Sequence, residues 1–560
     1  MKKFSHLLGL FFVVVAIAAV VTMVNYDGKS TTTITQEAAI SDISSMLRRI
    51  SLKERSHTSV PIELDDMLST ADELPDIETE YPLVVQGKGE VDVEVWTSPE
   101  KGGTDTNGFL TEMAKRFNSS NMRTSDGRRM SVSLRSIASG TGVEYITSGK
   151  AVPTAFTPSN DLWGKMIEYQ GVNISVLSDK VVGNTAGILV KKEIYDMLSS
   201  EYGAANFNSV YQATLDGKLK MGYTNPYSSS TGLNFLLQAL YSSNKEDMLS
   251  TDAVEAFGKF QANVPLVAYT TQQMVSAAEK GVLDGTVTEY QSYINDSTLQ
   301  RLYKYIPFGY AHNNPMYTIG IVGDAETEVL VEFLKVCEEN VELATRYGFN
   351  AELSYEDANL PIIDGNVIAQ AQGIWKESKD NGVPIVCEFV MDISGSMAGE
   401  PINNLRTALL NSMNYIGMDN YIGLISFNSE VYNDVEIAQY NLTQQAAFKG
   451  ALYDLTANGN TAMYDGLIVA INKVQAKVDE LGGNAKPMII VLTDGESNSG
   501  YTLSNTRNVI AGVGIPVYTI SYNSGSKDLE ELAKINEAAS MNCSSEDIVY
   551  KLRNLFNAQL

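Results

Sequence analysis

The sequence predicts an α/β protein built from two modules, each organised around a largely parallel sheet. Short apolar runs of strand length alternate with segments whose apolar residues recur at helical spacing. In the C-terminal third, 382–560, the predicted strands are almost wholly apolar, which is typical of a doubly wound parallel sheet covered by helices on both faces. Between 89 and 365, the order strand, polar loop, helix recurs, which favours a second α/β module.

The composition favours an exported binding protein over several other classes. The chain has 560 residues and a formal net charge of −26, which disfavours nucleic acid and anionic membrane surfaces as partners. Its three cysteines and three histidines are too few for a disulfide framework or a histidine-rich zinc site. Because histidine is scarce and no Gly-x-Ser-x-Gly motif lies in a suitable turn, we expect that the protein is not an enzyme.

The first residues are typical of an export signal. Lys2 and Lys3 precede an apolar run over 7–24, whose 18 residues just reach the length that spans a bilayer. Since no small-x-small cleavage site ends the run, we favour an uncleaved membrane anchor over 1–25. A cleaved signal peptide is the alternative. The rest of the chain is then expected on the extracellular face of the membrane, or secreted.

Two segments are predicted to be connections, one between the N-terminal apolar run and the first module and one between the two modules. Residues 26–88 are rich in Ser, Thr and acidic residues and contain several prolines, a composition that predicts a linker or stalk. Apolar residues at helical spacing over 40–52 predict one short helix inside it. Residues 366–381 carry Ile374 and Trp375 among their apolar positions and predict a connecting helix.

Loops rich in hydroxyl side chains precede helices at three places in the first module. Helix starts of this kind attract anions, because free N–H groups and the helix dipole converge there, although the same residues also serve as ordinary caps. In α/β sheets, ligands lie beyond the carboxyl ends of the strands. The candidate ligand contacts are therefore Thr97, Ser98, Ser139, Thr141, Ser228, Ser229, Ser230 and Thr231.

The order of these loops resembles that of type II periplasmic solute-binding proteins. The Ser-Gly-Thr-Gly loop at 139–142 is similar to a first-lobe motif of that family. The Asn-Pro-Tyr-Ser-Ser-Ser-Thr-Gly loop at 225–232 is similar to its second-lobe anion loop, and 282–290 resembles its return strand near the hinge.

The resemblance implies two lobes around a cleft that binds a small solute, with an oxyanion as the best match. The first lobe would hold 89–180 with 305–365, and the second lobe 185–300. Arg135 is a candidate source of positive charge. A cleft that has lost its ligand and serves as a scaffold is the alternative.

Carboxylate and hydroxyl side chains follow the apolar strands of the C-terminal module. Asp392, Ser394 and Ser396 alternate along one loop, so their oxygens can face the same way. Asp494 ends another strand, and Thr461 lies at the start of a helix. Two carboxylates and three hydroxyls form an all-oxygen set that suits Mg²⁺ or Mn²⁺. Five protein groups leave one coordination position open for an Asp or Glu carboxylate of a protein partner.

These five residues match the metal-ion-dependent adhesion site (MIDAS) of von Willebrand factor A domains, which 382–560 resembles. Thr461 lies in Gly-Asn-Thr-Ala and Asp494 in Leu-Thr-Asp-Gly, in the order of the family. The resemblance implies a Rossmann-like fold, ligand hydroxyls on Ser394, Ser396 and Thr461, and carboxylates on Asp392 and Asp494 that bind the ion directly or through water. Helix caps are the alternative interpretation.

Together these features predict an anchored extracellular protein that binds a partner through a metal ion, for adhesion or assembly, with a solute-binding-like module attached. This fusion resembles a class of exported bacterial proteins. The alternative function is a solute receptor of a transport system, whose C-terminal domain docks on a membrane partner.

Overall fold

The computed structural model describes residues 34–61, 74–264, 266–268, 274, 278, 283–349, 355–378, 383–522, 525–536, 538, 540–544 and 547–560. The predicted leader over 1–25 lies outside these residues. Within the described part of the chain, no helix is both long and apolar enough to cross a membrane. The chain divides into two compact units. We call 68–382 the two-lobed unit, and the residues before 68 together with 383–558 and Leu560 the C-terminal unit.

The strands, in chain order, are β1 Leu52–Glu54, β2 Leu83–Val85, β3 Val91–Thr97, β4 Met130–Ser136, β5 Ala155–Thr157, β6 Ile174–Ser178, β7 Ala186–Lys191, β8 Met221–Thr224, β9 Leu266–Ala268, β10 Gly285–Glu289, β11 Tyr303–Pro307, β12 Met316–Ile319, β13 Ile385–Asp392, β14 Tyr421–Phe427, β15 Val431–Gln439, β16 Lys486–Thr493, β17 Val517–Tyr522 and β18 Ser540–Cys543.

The α-helices are α1 Gln36–Leu47, α2 Ile77–Glu80, α3 Pro99–Gly102, α4 Phe109–Ser119, α5 Ser139–Ser148, α6 Leu162–Tyr169, α7 Lys192–Glu201, α8 Phe207–Leu215, α9 Ser230–Ser243, α10 Thr251–Ala262, α11 Tyr290–Asn295, α12 Ser297–Leu302, α13 Asp324–Glu339, α14 Val341–Arg346, α15 Gly365–Ser378, α16 Glu400–Ser412, α17 Leu442–Asp454, α18 Met463–Glu480, α19 Leu503–Val513, α20 Lys527–Ile535 and α21 Ile548–Gln559. Short 3₁₀ turns lie at Asp105–Asn107, Gly395–Met397 and Met413–Tyr415.

The two-lobed unit contains two separate sheets, which confirms the predicted α/β class and the division into lobes. The expectation of largely parallel sheets is wrong here, because each sheet has at least as many antiparallel as parallel strand pairs. The first-lobe sheet has the order β2-β4-β3-β5-β12-β6, with β3 parallel to both β4 and β5. The second-lobe sheet has the order β11-β7-β10-β8-β9, with β8 parallel to β9 and β10. Apolar residues of β3, β4, α4 and α13 form the core of the first lobe.

The crossing between the lobes differs slightly from the expected boundaries. β11 pairs with β7 in the second-lobe sheet, although residues from 305 onward were expected in the first lobe. The chain therefore returns to the first lobe after Pro307. The two crossing segments pair with each other at an isolated bridge between Asn184 and His312.

The C-terminal unit has one sheet with the order β1-β15-β14-β13-β16-β17-β18. β13 runs parallel to β14 and β16, and every residue of β13 is buried. Apolar side chains of β13, β16, α18 and α19 share one core on one side of this sheet, and Phe389 meets Phe448 of α17 and Phe556 of α21 at aromatic contacts. The sheet is therefore the doubly wound arrangement that the apolar strands predicted.

The expected linker over 26–88 is wrong for much of its described length. Ala39, Ile43 and Met46 of α1 are buried in the core of the C-terminal unit, where α1 packs against α19. Gly512 permits the close approach, because a Cβ there would lie 2.9 Å from the Cβ of Ala39. β1 adds a parallel edge strand beside β15. The apolar side chains of α1 are buried and do not lie in a solvated stalk, because the C-terminal unit provides apolar side chains for them to pack against.

The later part of the same segment belongs to the two-lobed unit. β2 pairs with β4, and α2 lies beside the buried guanidinium of Arg135. That group donates to Glu94 at 2.7 Å and to Glu78 at 2.6 Å, so its charge docks this segment. The expectation that Arg135 supplies positive charge to a solute is therefore wrong. The predicted connecting helix is present as α15, which packs within the two-lobed unit and buries Trp375.

His57 fastens the N-terminal segment to the C-terminal unit through two carboxylates. Its Nε2 lies 3.0 Å from Asp434 Oδ1, and its Nδ1 lies 3.1 Å from Asp454 Oδ2. Arg55 lies 3.5 Å from the same Asp434. Hydrogen bonding to Asp434, against the opposing effect of burial, raises the pKa of His57 above its usual value, with Asp454 adding to the effect.

This raised pKa makes the docking of the segment pH-dependent. Stabilisation by the His57 imidazolium is fully present below its unfolded pKa of about 6.5 and is lost as the pH rises through the higher folded value. We therefore expect His57→Gln to lower the melting temperature more at pH 6 than at pH 9. Calorimetric melting of both proteins measures this. Lys53→Gln is the control, because Lys53, whose pKa is raised by its hydrogen bond to Glu430, stays charged at both pH values. An equal effect of His57→Gln at both pH values would contradict the prediction.

Candidate functional site

The predicted metal residues of the C-terminal unit lie on three loops at one edge of its sheet. Asp392 is the last residue of β13, and Thr493 is the last residue of the neighbouring strand β16. Because the two strands are parallel, their carboxyl ends meet. Asp392 is fully buried, and its two carboxylate oxygens accept from the Ser394 N–H at 2.7 Å and from the Thr493 hydroxyl at 2.6 Å. These bonds fix the orientation of the carboxylate.

A chain of oxygen contacts continues from this base towards solvent. The hydroxyl oxygens of Ser394 and Ser396 lie 3.0 Å apart, and the Ser396 hydroxyl donates to Asp494 Oδ1 at 2.9 Å. Ser394 is buried, Asp494 is half-buried, and Ser396 is exposed. The cluster therefore has a buried base and an accessible side.

Thr461 lies on the third loop, which backbone hydrogen bonds fasten to the other two. The Asn458 N–H donates to the Ile393 carbonyl at 2.8 Å, and the Gly395 N–H donates to the Gly459 carbonyl at 2.9 Å. The Thr461 N–H donates to Asn498 Oδ1 at 2.9 Å, and its carbonyl accepts from the Asn498 N–H at 3.0 Å. All five predicted residues thus belong to one connected set of loops.

The spacing and chemistry of this set fit a small, hard divalent cation. Mg²⁺ binds oxygen at about 2.1 Å in octahedral geometry, so neighbouring ligands lie roughly 3.0 Å apart. The Ser394–Ser396 and Ser396–Asp494 oxygen pairs have this spacing, at 3.0 and 2.9 Å. Burial, and secondarily the charge of Asp494, raise the pKa of Asp392, and a nearby cation would relieve both effects.

Only two of the five residues are carboxylates, and in the described residues no group of three or more His, Cys, Asp or Glu side chains has a metal-site arrangement. The hydroxyls are therefore essential to any cation site here. Sequence reasoning missed the supporting role of Thr493 and Asn498. The Thr before Asp494 and the Asn four residues after it were the available signals.

The predicted solute residues lie where the two lobes meet, but most of their polar groups bond within the protein. The Gly140 N–H donates to the Ser228 carbonyl at 3.2 Å across the lobes, and the Trp163 indole donates to the Ser230 hydroxyl at 2.8 Å. Gly140 is required at this contact, because a Cβ there would lie 2.0 Å from the Tyr227 carbonyl oxygen. The hydroxyl-rich loops of the two lobes thus touch each other directly.

The other hydroxyls of this set have varied environments. Ser139 accepts from the Ser159 N–H at 3.3 Å, and Ser229 caps α9 by accepting from the Gly232 N–H at 3.3 Å. Thr141 is buried in the first turn of α5, and Thr231 lies 3.4 Å from the Ser229 hydroxyl. The cap interpretation therefore describes Ser229.

Beyond the predicted hydroxyls, a buried polar cluster links the two lobes. His312 places its Nδ1 3.2 Å from Glu289 Oε1, while its Nε2 faces the amide nitrogens of Asn160 at 3.3 Å and Asn234 at 3.1 Å. On the first-lobe side, Ser98 contacts the adjacent pair Glu100 and Lys101. We call Ser98, Glu100, Lys101, Ser159, Asn160, Asn234, Glu289, His312 and Asn314 the cleft cluster. In the sequence, the signal for the cleft cluster was the adjacent pair of an acidic and a basic residue, Glu100 and Lys101, shortly after the end of β3.

The family model for the von Willebrand factor type A domain matches residues 388–559, and the C-terminal domain is of this type. Inter-alpha-trypsin inhibitor heavy chain H3 of Mus musculus is 32% identical over 171 residues, which cover 28% of this chain and 19% of that protein. Calcium-activated chloride channel regulator 1 of Macaca mulatta is 31% identical over 157 residues, covering 28% of this chain and 16% of that protein. The matches thus span less than a fifth of these curated relatives.

Solved structures of both expected classes are among the structural neighbours. A von Willebrand factor type A protein from Catenulispora acidiphila has 18% identity and a TM-score of 0.29, covering 31% of this chain and 42% of that chain. A periplasmic thiamin binding protein has 10% identity and a TM-score of 0.37, covering 53% and 99%. Iron-bound HitA from Pseudomonas aeruginosa has 12% identity and a TM-score of 0.36, covering 52% and 99%.

The Thr493 hydroxyl gives a test of the site that does not depend on metal. Thr493→Val keeps the shape of the side chain but removes a donor to the buried Asp392 carboxylate. We expect this change to lower the free energy of unfolding by about 1–3 kcal/mol in the presence of EDTA, the cost of leaving such a group unpaired. Urea denaturation measures it. Thr443→Val, at an exposed position, is the matched control, and equal effects of the two substitutions would refute the role of Thr493.

Proposed function

We propose that the C-terminal unit binds Mg²⁺ or Mn²⁺ through Asp392, Ser394, Ser396, Thr461 and Asp494, and that the bound ion holds an Asp or Glu carboxylate of a protein partner outside the cell. The observation that carries this proposal is the row of oxygen contacts from Ser394 through the exposed Ser396 to Asp494, beside the buried Asp392 carboxylate that accepts from the Ser394 N–H. Its spacing suits one small cation, and its open side leaves room for a ligand from outside.

Each protein group has a definite role in this proposal. Asp392, held by Thr493 and the Ser394 N–H, supplies negative charge at the base and keeps the loop in shape. Ser394, Ser396 and Thr461 supply neutral oxygens, and Asp494 supplies the second carboxylate. Five protein groups leave one position of an octahedral ion open, and an acidic group of a partner can fill it. The role is binding and not catalysis.

The setting of this site follows from the sequence. The apolar run near the N-terminus and the acidic composition favour an exported protein, anchored or secreted, in which the metal site acts in adhesion or assembly. A role as a solute receptor is less well supported, because the hydroxyl-rich loops of the two lobes contact each other.

Titration calorimetry of the full chain tests metal binding. We expect one Mn²⁺ or Mg²⁺ per chain and at least a roughly 10-fold weaker affinity in Asp392→Ala, Ser396→Ala and Thr461→Val, since even groups that only support metal ligands are worth this much. Glu496→Ala is the matched control, because Glu496 is exposed, follows Asp494 by two residues and is not one of the proposed metal ligands. Absence of binding by the unaltered protein, or unchanged affinity in all three variants, would exclude the site.

A second measurement tests the open coordination position. Mn²⁺ bound to the protein speeds the relaxation of water protons through the water molecules that it holds. If an external carboxylate binds the ion, acetate should lower this relaxation enhancement in a saturable way, whereas chloride at equal ionic strength should not. If the protein binds Mn²⁺ but acetate and chloride give the same response, the metal site stands and the proposed binding of a partner carboxylate to the ion is excluded.

A further inference from the structure

The carboxylate of Glu100 lies in the cleft cluster, just beyond the carboxyl end of β3. Its Oε1 accepts from the Ser98 hydroxyl and, at 2.8 Å, from the Ser159 hydroxyl. The ammonium of Lys101 lies 3.4 Å from the same oxygen and also donates to Asn314 Oδ1 at 2.8 Å. One carboxylate oxygen therefore receives two hydroxyl donors and a cation.

This environment has the chemistry of an oxyanion subsite. Hydroxyl donors and one cation beyond the strand ends of an α/β lobe are the groups that would hold a small anion from solution. Lys101 is fully buried and the Glu100 side chain is 15% exposed, so the pair is largely shielded from water. The protein itself thus supplies the anion at this position.

Unsatisfied donors at the same strand ends support the presence of a subsite. Thr97 ends β3 and Thr157 ends β5, and the two residues face each other in the register of the parallel pair. Both are fully buried, and neither hydroxyl has a hydrogen-bond partner among the described residues. Buried hydroxyls are normally hydrogen-bonded. Two unpaired hydroxyls at the carboxyl ends of parallel strands, where ligands bind in such sheets, therefore favour a ligand subsite at this place.

The neighbours of Glu100 in the cleft cluster favour its ionised form. Burial opposes its ionisation, but the Lys101 ammonium and the hydroxyls of Ser98 and Ser159 together hold its pKa below the usual value. Burial, and then the charge of Glu100, raise the pKa of the nearby Glu289. Without the Glu100 carboxylate, the buried Lys101 would lose the acidic neighbour that acts on it most strongly and keep only the weaker effect of Glu289, which is costly.

We propose that the Glu100 carboxylate is an internal occupant of an oxyanion subsite in the cleft, so that the lobes close without a solute and the subsite accepts a small anion only when this carboxylate is removed. The hydroxyl-rich loops already meet through Gly140–Ser228 and Trp163–Ser230. The two-lobed unit is then a closed scaffold, independent of the metal site in the other unit.

Anion rescue of Glu100→Ala in the whole protein tests this proposal. The substitution removes the Cγ methylene together with the carboxylate, which leaves room for formate, and it leaves the donors in place. In calorimetric melting we expect the variant to be less stable than the unaltered protein and to regain stability with sodium formate. The regain should be saturable and about 2 °C beyond that given by sodium chloride once formate reaches ten times its Kd. Sulfate is the second probe, and a smaller shift with it would indicate a subsite the size of a carboxylate.

Two comparisons make the result decisive. Glu112→Ala, which removes a half-buried acid paired with Arg116 in the same lobe, should show no formate-specific shift. The unaltered protein should show none with formate or sulfate, because its subsite is filled. A formate- or sulfate-specific shift in the unaltered protein, or no greater shift in Glu100→Ala than in Glu112→Ala, would overturn the proposal.

Glu100→Gln covers the case in which Glu100→Ala does not fold. The amide fills the same volume and still accepts from Ser98 and Ser159, but it carries no charge to pair with Lys101. We expect a lower melting temperature than that of the unaltered protein and no response to formate, because the space remains occupied. A melting temperature equal to that of the unaltered protein would show that the subsite does not hold an anion.

Discussion

Parallel strand pairing is the constraint on which the polar sites of this protein depend. Because β13, β14 and β16 run in the same direction, their carboxyl ends meet at one edge of the sheet, and the loops that follow them converge there. Asp392 and Thr493 come from strands separated by about a hundred residues, yet they are joined by a hydrogen bond of 2.6 Å. No local feature of either loop produces that contact; the register of the sheet does.

The same constraint produces a different result in the two-lobed unit. β3 and β5 are parallel neighbours, and polar side chains again gather beyond their carboxyl ends. There the acidic residue Glu100 turns towards the donors that surround it, and the loops of the opposite lobe close over the edge. In the C-terminal unit the carboxylates of Asp392 and Asp494 have hydroxyl partners and form no ion pair with a Lys or Arg among the residues that the structure describes, and Ser396 remains exposed. At the first edge the Lys101 charge is paired with Glu100, whereas the second edge retains negative charge that a cation can balance.

The two units do not simply follow one another along the chain. α1 and β1 belong to the C-terminal unit, although they precede the two-lobed unit in sequence. The two-lobed unit is therefore an insertion between an edge strand and the central strand of one sheet. His57 with its two carboxylates helps to hold this N-terminal segment on the unit that carries the metal-site residues.

The sequence by itself determined the α/β class, the two kinds of module and the five residues at one sheet edge, because strand periodicity and the Asp-x-Ser-x-Ser spacing are local properties of the chain. It also indicated α1 as a helix, but its surroundings of Ser, Thr and acidic residues suggested a stalk. Only the tertiary structure decided that α1 is buried, that Arg135 docks a neighbouring segment, and that Glu100 fills its own cleft. Each of these depends on which face or charge a distant part of the chain supplies, and burial and pairing over such separations leave no signal in local spacing.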